Sequence, residues 1–311
     1  MGFMKKRSTL VKMLSMALAA GMMTMSLTGC GSSGEASGSG SAGSTAEGTA
    51  PAAENKVLKV GMECAYAPFN WTQVTQDVPD GSKAYPIYGS SDFAYGYDVM
   101  VAEKLADQLG MQLEIHKVEW DSIGLSLDAK EYDCIIAGMG RTKEREASYS
   151  FTEPYYYRDN CLVVKKGSEY ENVKGLSEFA GKGVTVTTQL GTGWVPLLEQ
   201  IPDAKLGANY ETTAEVFMAI SNNVADVALI DLPTAESALL TNTDLTIIVP
   251  DPSDAFEGDK EMTNVCIATR KDDTALRDEL QKAMDAIGWN DKAKMDELMS
   301  KAVELQPAAN K

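Results

Sequence analysis

From residue 57 onward, apolar and polar positions divide the chain into short strands and helices. Val57-Leu58-Lys59-Val60-Gly61-Met62 is a brief apolar run of β character. The stretch from about Thr72 to Tyr95 is polar and rich in Gly, Pro and Tyr, which predicts a long surface loop. Val101, Leu105 and Leu109 then fall on one face of a helix over Asp98–Leu109. Gly110 stands where a helix closes on a left-handed residue. Met111, Leu113 and Ile115 alternate inward along a strand over Met111–Val118, and a helix over Ser122–Ala129 follows. Asp133-Cys134-Ile135-Ile136-Ala137-Gly138 is continuously apolar between Asp and Gly, as expected of a strand in a buried parallel sheet.

That phrase recurs as Asp226-Val227-Ala228-Leu229-Ile230-Asp231, after a helix predicted over Thr213–Ser221. Two strand–helix units of matching grammar predict an α/β fold of two similar lobes, each with a mostly parallel sheet. Ligands collect outside the carboxyl ends of such strands, so Gly138 and Asp231 are expected to face one cleft from opposite lobes. Amphipathic helices over Asp273–Ile287 and Asp291–Val303 close the chain and are expected to pack on the first lobe.

The N-terminal segment has a different grammar. Lys5, Lys6 and Arg7 precede an apolar run from Val11 to about Leu27, which is too short and too polar for a membrane span. The run ends in Leu27-Thr28-Gly29-Cys30, which resembles the lipobox of bacterial lipoproteins, with Cys30 the lipidated residue. Residues 1–29 are therefore expected to be a signal peptide. Residues 30–54, almost wholly Gly, Ser, Ala and Thr, are expected to be a disordered tether reaching roughly 25–30 Å. The expected location is extracytoplasmic, held at the cell membrane by lipid.

Charge narrows the function. The 28 Lys+Arg against 45 Asp+Glu give −17, and removal of the signal takes four basic residues and no acid, leaving −21. Such a surface repels phosphate backbones and disfavours nucleic-acid partners. Cys64, Cys134, Cys161 and Cys266 form no C-x-x-C pair, so no metal site is expected. Cys161 and Cys266 would pair only if their strands ran side by side, and buried free thiols are the alternative. His116, the sole histidine, falls on the polar face of its strand, and no Ser-His or Cys-His triad can be assembled around it. No catalytic residue and no cofactor are expected.

Three features point to a small zwitterion. Arg145 lies just past the strand ending at Gly138, where a guanidinium can hold a carboxylate bidentately. Gln189-Leu190-Gly191-Thr192-Gly193-Trp194-Val195-Pro196 joins a strand over Val184–Thr188 to a helix and offers free backbone N–H groups. Asp231 supplies the opposite charge for an ammonium.

The chain from about Val57 to Leu305 resembles the extracellular amino-acid-binding proteins of ABC importers, solute-binding family 3. The resemblance rests on Val60 to Phe69, Gly96-Tyr97-Asp98-Val99, Asp133 to Arg145 running on to Phe151-Thr152-Glu153-Pro154-Tyr155-Tyr156, Gln189-Leu190-Gly191-Thr192, and Asp226 to Asp231. It implies a two-lobe, periplasmic-binding-protein-like (type II) fold with two hinge strands, crossing near Tyr157–Leu162 and Asn264–Ile267. The first lobe would comprise residues 55–158 and 264–311, the second 159–263. The resemblance also implies that Tyr66 and Trp120 flank the ligand with aromatic faces. Arg145, with the N–H groups of Gly140 and Gly193, would hold the α-carboxylate. Asp231, the Gly138 carbonyl and Thr192 would hold the α-ammonium, and Glu63 and Gln189 would line the side-chain end.

Gly140 and Gly193 stand where that family commonly has Ser or Thr, which adds room for a larger or modified amino acid. The implied function is a monomeric substrate-binding lipoprotein that delivers a polar or basic amino acid to the importer's transmembrane permease without covalent chemistry. The alternatives are a dehydratase-type enzyme on the same fold, with Glu63 as its acid, and a ligand sensor docking on a membrane receptor.

Overall fold

In the computed structural model the described residues are 56–258 and 263–307; the signal peptide, Cys30 and tether expected over 1–54 lie outside them. The chain runs through β1 (Val57–Met62), β2 (Ala65–Tyr66), β3 (Asn70–Gln73), β4 (Tyr85–Pro86), β5 (Phe93–Tyr95) and α1 (Tyr97–Leu109). Next come β6 (Gln112–Lys117), α2 (Ile123–Asp128), β7 (Cys134–Ile135), α3 (Lys143–Ser148) and β8 (Tyr149–Tyr157). The second half holds β9 (Asn160–Lys165), β10 (Thr185–Thr187), β11 (Lys205–Leu206), α4 (Thr213–Ser221), β12 (Val227–Asp231), α5 (Leu232–Leu239) and β13 (Leu245–Ile248). It is followed by β14 (Asn264–Arg270), α6 (Thr274–Ala286) and α7 (Lys292–Leu305).

Two five-stranded sheets define two lobes of a type II periplasmic-binding-protein-like fold, in the orders β6-β1-β7-β14-β8 and β11-β10-β12-β9-β13. In the first, β6, β1 and β7 are parallel, and β14 runs against both β7 and β8. In the second, β11, β10 and β12 are parallel, and β9 runs against both β12 and β13. Each sheet thus aligns four strands and opposes one. The opposed strand in each is the one that arrives from the other lobe, because a chain crossing from one sheet's edge enters its neighbour from the far end. The first crossing is Arg158-Asp159, and the return is complete where Asn264 pairs with Tyr157.

Local rules account for the elements. Gly110 caps α1 at φ 64°, and Thr212 with Glu215 closes a capping box on α4. β12 is buried along its whole length, the pattern of a central strand covered on both faces. The expected loop over 72–95 proves to contain β4 and β5, which with β2 and β3 make a four-stranded sheet in the order β2-β3-β5-β4. Its strands are two to four residues long, too short to register as alternation, and Trp71 packs edge-on to Tyr95 at 5.6 Å to hold them.

Of the tail helices, expected to pack on the first lobe, the last also reaches the second. α6 packs on β8, β14 and α1, and α7 packs on β8 and α1 but also meets α5 of the second lobe. There Ser237 Oγ donates to Gln306 Oε1 at 2.6 Å.

All four described cysteines are buried free thiols. Cys161 on β9 and Cys266 on β14 belong to different sheets, so the side-by-side arrangement that a bridge requires is not formed.

A buried polar network braces the start of the cleft. Asp98 accepts from Tyr155 Oη and from Asn70 Nδ2, both at 2.7 Å, and Tyr155 Oη accepts from the Gly138 N–H at 3.0 Å. Burial pushes the Asp98 carboxyl up to about 6, against the opposing pull of those two hydrogen bonds. β1 is packed as tightly: a Cβ at Gly61 would lie 2.3 Å from the Tyr132 ring, whose hydroxyl donates to the Ile123 carbonyl. Gly61→Ala is therefore expected to lower stability by about 1–3 kcal/mol, read as a reduced urea midpoint; an unchanged midpoint would contradict this packing.

Candidate functional site

The carboxyl ends of β7 and β12 meet between the lobes. Gly138 turns the chain at φ 61°, and a Cβ there would lie 2.5 Å from the Tyr66 ring, so the position suits glycine on both counts. Asp231 ends β12 and caps α5, its Oδ1 accepting from the Thr234 N–H at 3.0 Å. Tyr66 lies between these strand ends. Its ring stacks on Phe69 at 4.9 Å, and its hydroxyl donates to Asp231 Oδ2.

Beside this junction is a narrow cavity of about 10 Å³, room for about one water, lined by Glu63, Tyr66, Trp120, Ala137, Gly138, Gly140, Arg145, Arg158, Gln189, Thr192 and Trp194. Eight of the ten residues singled out from the sequence therefore share one hollow. The other two do not line it. Asp231 stands behind Tyr66, and Gly193 lines an adjoining groove of about 440 Å³ together with Arg145, Gly191 and Thr192.

Arg145 is presented by α3, where Thr142 Oγ1 caps the Arg145 N–H at 3.2 Å. Its guanidinium lies 5.2 Å from the Trp120 ring and donates to Gly140 O at 2.9 Å and to Gly191 O at 3.3 Å. Gly140 thus offers Arg145 a carbonyl, where an N–H aimed at the ligand was expected. Burial, reinforced by the nearby Arg158, lowers the Arg145 guanidinium to about 10, still charged at neutral pH.

Glu63 is 3% exposed. Gln189 Nε2 faces its two carboxyl oxygens at 3.3 and 3.4 Å and also donates to Glu211 O at 2.9 Å. Burial raises the Glu63 carboxyl to about 7; Gln189 and Lys117 oppose the rise and Glu119 adds to it. Thr192 Oγ1 donates to Gln189 O at 2.7 Å, so its proton is committed within its own loop. His116 flanks the molecule away from the cavity, bonded to Glu114 at 2.8 Å and stacked on Tyr88 at 4.7 Å.

Three lining residues escaped the sequence reading: Ala137, Trp194 and Arg158. Trp194 sits inside the glycine-bearing loop and donates from Nε1 to Asn160 Oδ1 at 2.9 Å. Arg158 occupies the first crossing, is 3% exposed, and donates from Nη1 to Gly138 O and to Tyr66 Oη, each at 2.9 Å. Its trace in the sequence was a charge placed between two apolar strands, Phe151–Tyr157 and Cys161–Val164. Among the described residues, no group of three or more His, Cys, Asp and Glu gathers as a metal would require.

Residues 58–302 match the model of the bacterial extracellular solute-binding proteins, family 3. The arginine-binding extracellular protein ArtP of Bacillus subtilis is 28% identical over 275 residues, covering 86% of this chain and 89% of its own. The octopine-binding periplasmic protein of Rhizobium meliloti is 28% identical over 256 residues, covering 74% and 79%. Among solved structures, an ancestral arginine-binding protein bound to glutamine aligns with a TM-score of 0.59 at 25% identity, over 80% of this chain and 96% of that one.

The position of Glu63 has a consequence for stability. The folded protein holds the Glu63 proton up to about pH 7, whereas the unfolded chain releases it near 4.5. This contribution is therefore present in full below pH 4.5 and is lost as pH rises through 7. Glu63→Gln keeps an acceptor for Gln189 and removes the buried charge. Its Tm is expected to match the wild type near pH 4.5 and to exceed it above pH 7 by an amount corresponding to about 1–3 kcal/mol. A gap independent of pH would contradict the burial of this carboxyl.

Proposed function

The chain belongs to the bacterial extracellular solute-binding proteins, family 3, and from that footing we propose that it captures a cationic amino acid, arginine or a close derivative, for the permease of an ABC importer. The observation that carries this reading is Glu63: a carboxyl walled into the cavity with Gln189 beside it, placed where it can face a ligand's cation. The arginine-binding and octopine-binding relatives support it, since the named ligands of both carry a guanidinium.

Each end of such a ligand has a counterpart. Arg145 takes the carboxylate, its guanidinium oriented by Gly140, Gly191 and the Trp120 face. The side-chain cation lies toward Glu63 and Gln189, flanked by the Tyr66 and Trp120 rings. Because lining residues come from both lobes, a ligand bound between them favours the closed arrangement by its contacts to the second lobe, and the crossings at 158–159 and before Asn264 act as hinges. In this reading Cys30 carries the lipid, residues 30–54 hold the body off the membrane, and the protein works as a monomer.

A second reading starts from the same carboxyl. A group near 7 is also what a general acid needs, so a dehydratase-type activity would likewise use Glu63. Incubation followed by mass analysis separates the two: binding alone returns the candidate ligand unchanged.

Calorimetry tests the proposed grip. Arg145→Ala is expected to weaken arginine binding by about 30-fold or more, the usual consequence of removing one partner of a desolvated charge pair. A cation beside Glu63 favours its charged form, so binding should release a proton near pH 7. Affinity should then fall on acidification from pH 7 to 5, by at most about tenfold per unit, and Glu63→Gln should flatten that dependence. Proton release is read from the variation of binding heat with buffer; its absence would remove Glu63 from the cation's path.

A further inference from the structure

Arg158 stands where an α-ammonium was expected. The Gly138 carbonyl ends β7 and Asp231 ends β12, the pair of strand-end acceptors suited to a ligand's ammonium. In the structure that pair is already joined to the chain's own cation. Arg158 Nη1 donates to Gly138 O and to Tyr66 Oη at 2.9 Å, and Tyr66 Oη donates onward to Asp231 Oδ2. The guanidinium carbon lies 4.8 Å from the Trp194 ring and 5.9 Å from the Phe69 ring, so both aromatic faces fix it in place. The residue is buried, and it belongs to the crossing between lobes, whose backbone also fixes it: Arg158 N–H donates to Thr263 O at 3.0 Å.

Resting on the cationic-ligand reading above, we propose that Arg158 is a built-in substitute for the ligand's α-ammonium, so that the pocket reads a carboxylate and a distal cation but not the α-nitrogen. The ligand class is then guanidino and amino carboxylic acids whose α-nitrogen is absent or substituted. The neighbouring groove fits this class. It reaches Arg145 from the other side and is lined by Thr142, Ser148, Tyr149 and Gly193, which leaves an α-substituent both room and hydroxyl partners. A free ammonium, by contrast, would have to displace a guanidinium held by hydrogen bonds to Gly138 O and Tyr66 Oη and by two ring faces.

Calorimetry with L-arginine, δ-guanidinovalerate (arginine without its α-ammonium) and Nα-acetylarginine tests the proposal. In the wild type, arginine and δ-guanidinovalerate are expected to bind within about tenfold of each other, less than the loss of a charge-assisted hydrogen bond normally brings. A larger preference for arginine overturns the proposal. Arg158→Ala frees the strand-end acceptors and is expected to raise the preference for arginine above about tenfold; an unchanged ratio overturns it. If Arg158→Ala fails to fold, Arg158→Gln serves in both arms. Should the wild type bind none of the three compounds, the cationic-ligand reading fails, and methylammonium then decides the role of Arg158 alone. Restored Tm in the variant, with no effect on the wild type, supports the substitution, and no restoration overturns it.

Discussion

The hydrogen bond from Tyr66 to Asp231 ties the two lobes together at the cleft. It joins the first lobe to the end of β12 in the second, with both partners fully enclosed. The geometry of the cleft follows from it. With Tyr66 fixed, the close approach at Gly138 leaves that position only glycine, and Phe69 must stack beneath the ring. The Asp98 network then holds the Gly138 turn from behind through Tyr155. A polar junction of this kind in a dry setting requires every member to be satisfied, and each of these groups has its partner.

Charge inside the cavity is arranged by the same logic of burial. Two guanidinium groups, from Arg145 and Arg158, and one carboxyl, from Glu63, line one narrow hollow. Desolvation pushes the charged forms of Glu63 and Arg145 toward neutrality to a similar extent, but from different starting points. It brings Glu63 to about 7 and leaves Arg145 at about 10. The arginine end is thus charged at every physiological pH, while the acidic end sits at the edge of ionisation. A charge brought up to the acidic end would therefore change the protonation of Glu63.

Much of this was legible in the chain. The paired phrases ending in Gly138 and Asp231 gave both central strands and their meeting point, because an apolar run between Asp and Gly has few structural uses. Glu63, Tyr66, Trp120, Arg145 and Gln189 were recoverable through the family pattern around them. The small sheet over β2–β5 was not, since strands this short carry no period and owe their place to Trp71, Tyr95 and Asn70. Arg158 was missed for a different reason: its role depends on which strand ends lie beside the crossing, a relation between residues 20 and 92 positions apart. The position of Asp231 behind Tyr66 was hidden likewise, because the pattern identifies an acid at a strand end but not which neighbour reaches it first.

The thiols have a consequence of their own. Cys64, Cys134, Cys161 and Cys266 sit in β structure or beside it, each enclosed, and burial pushes Cys64 and Cys266 up to about 12 and raises Cys134 and Cys161 well above the ordinary thiol range. Thiolate, the species that exchanges or oxidises, is thereby suppressed at all four. A body built this way owes none of its cohesion to sulfur cross-links. The contacts that hold these strands are therefore the same in oxidising and in reducing surroundings.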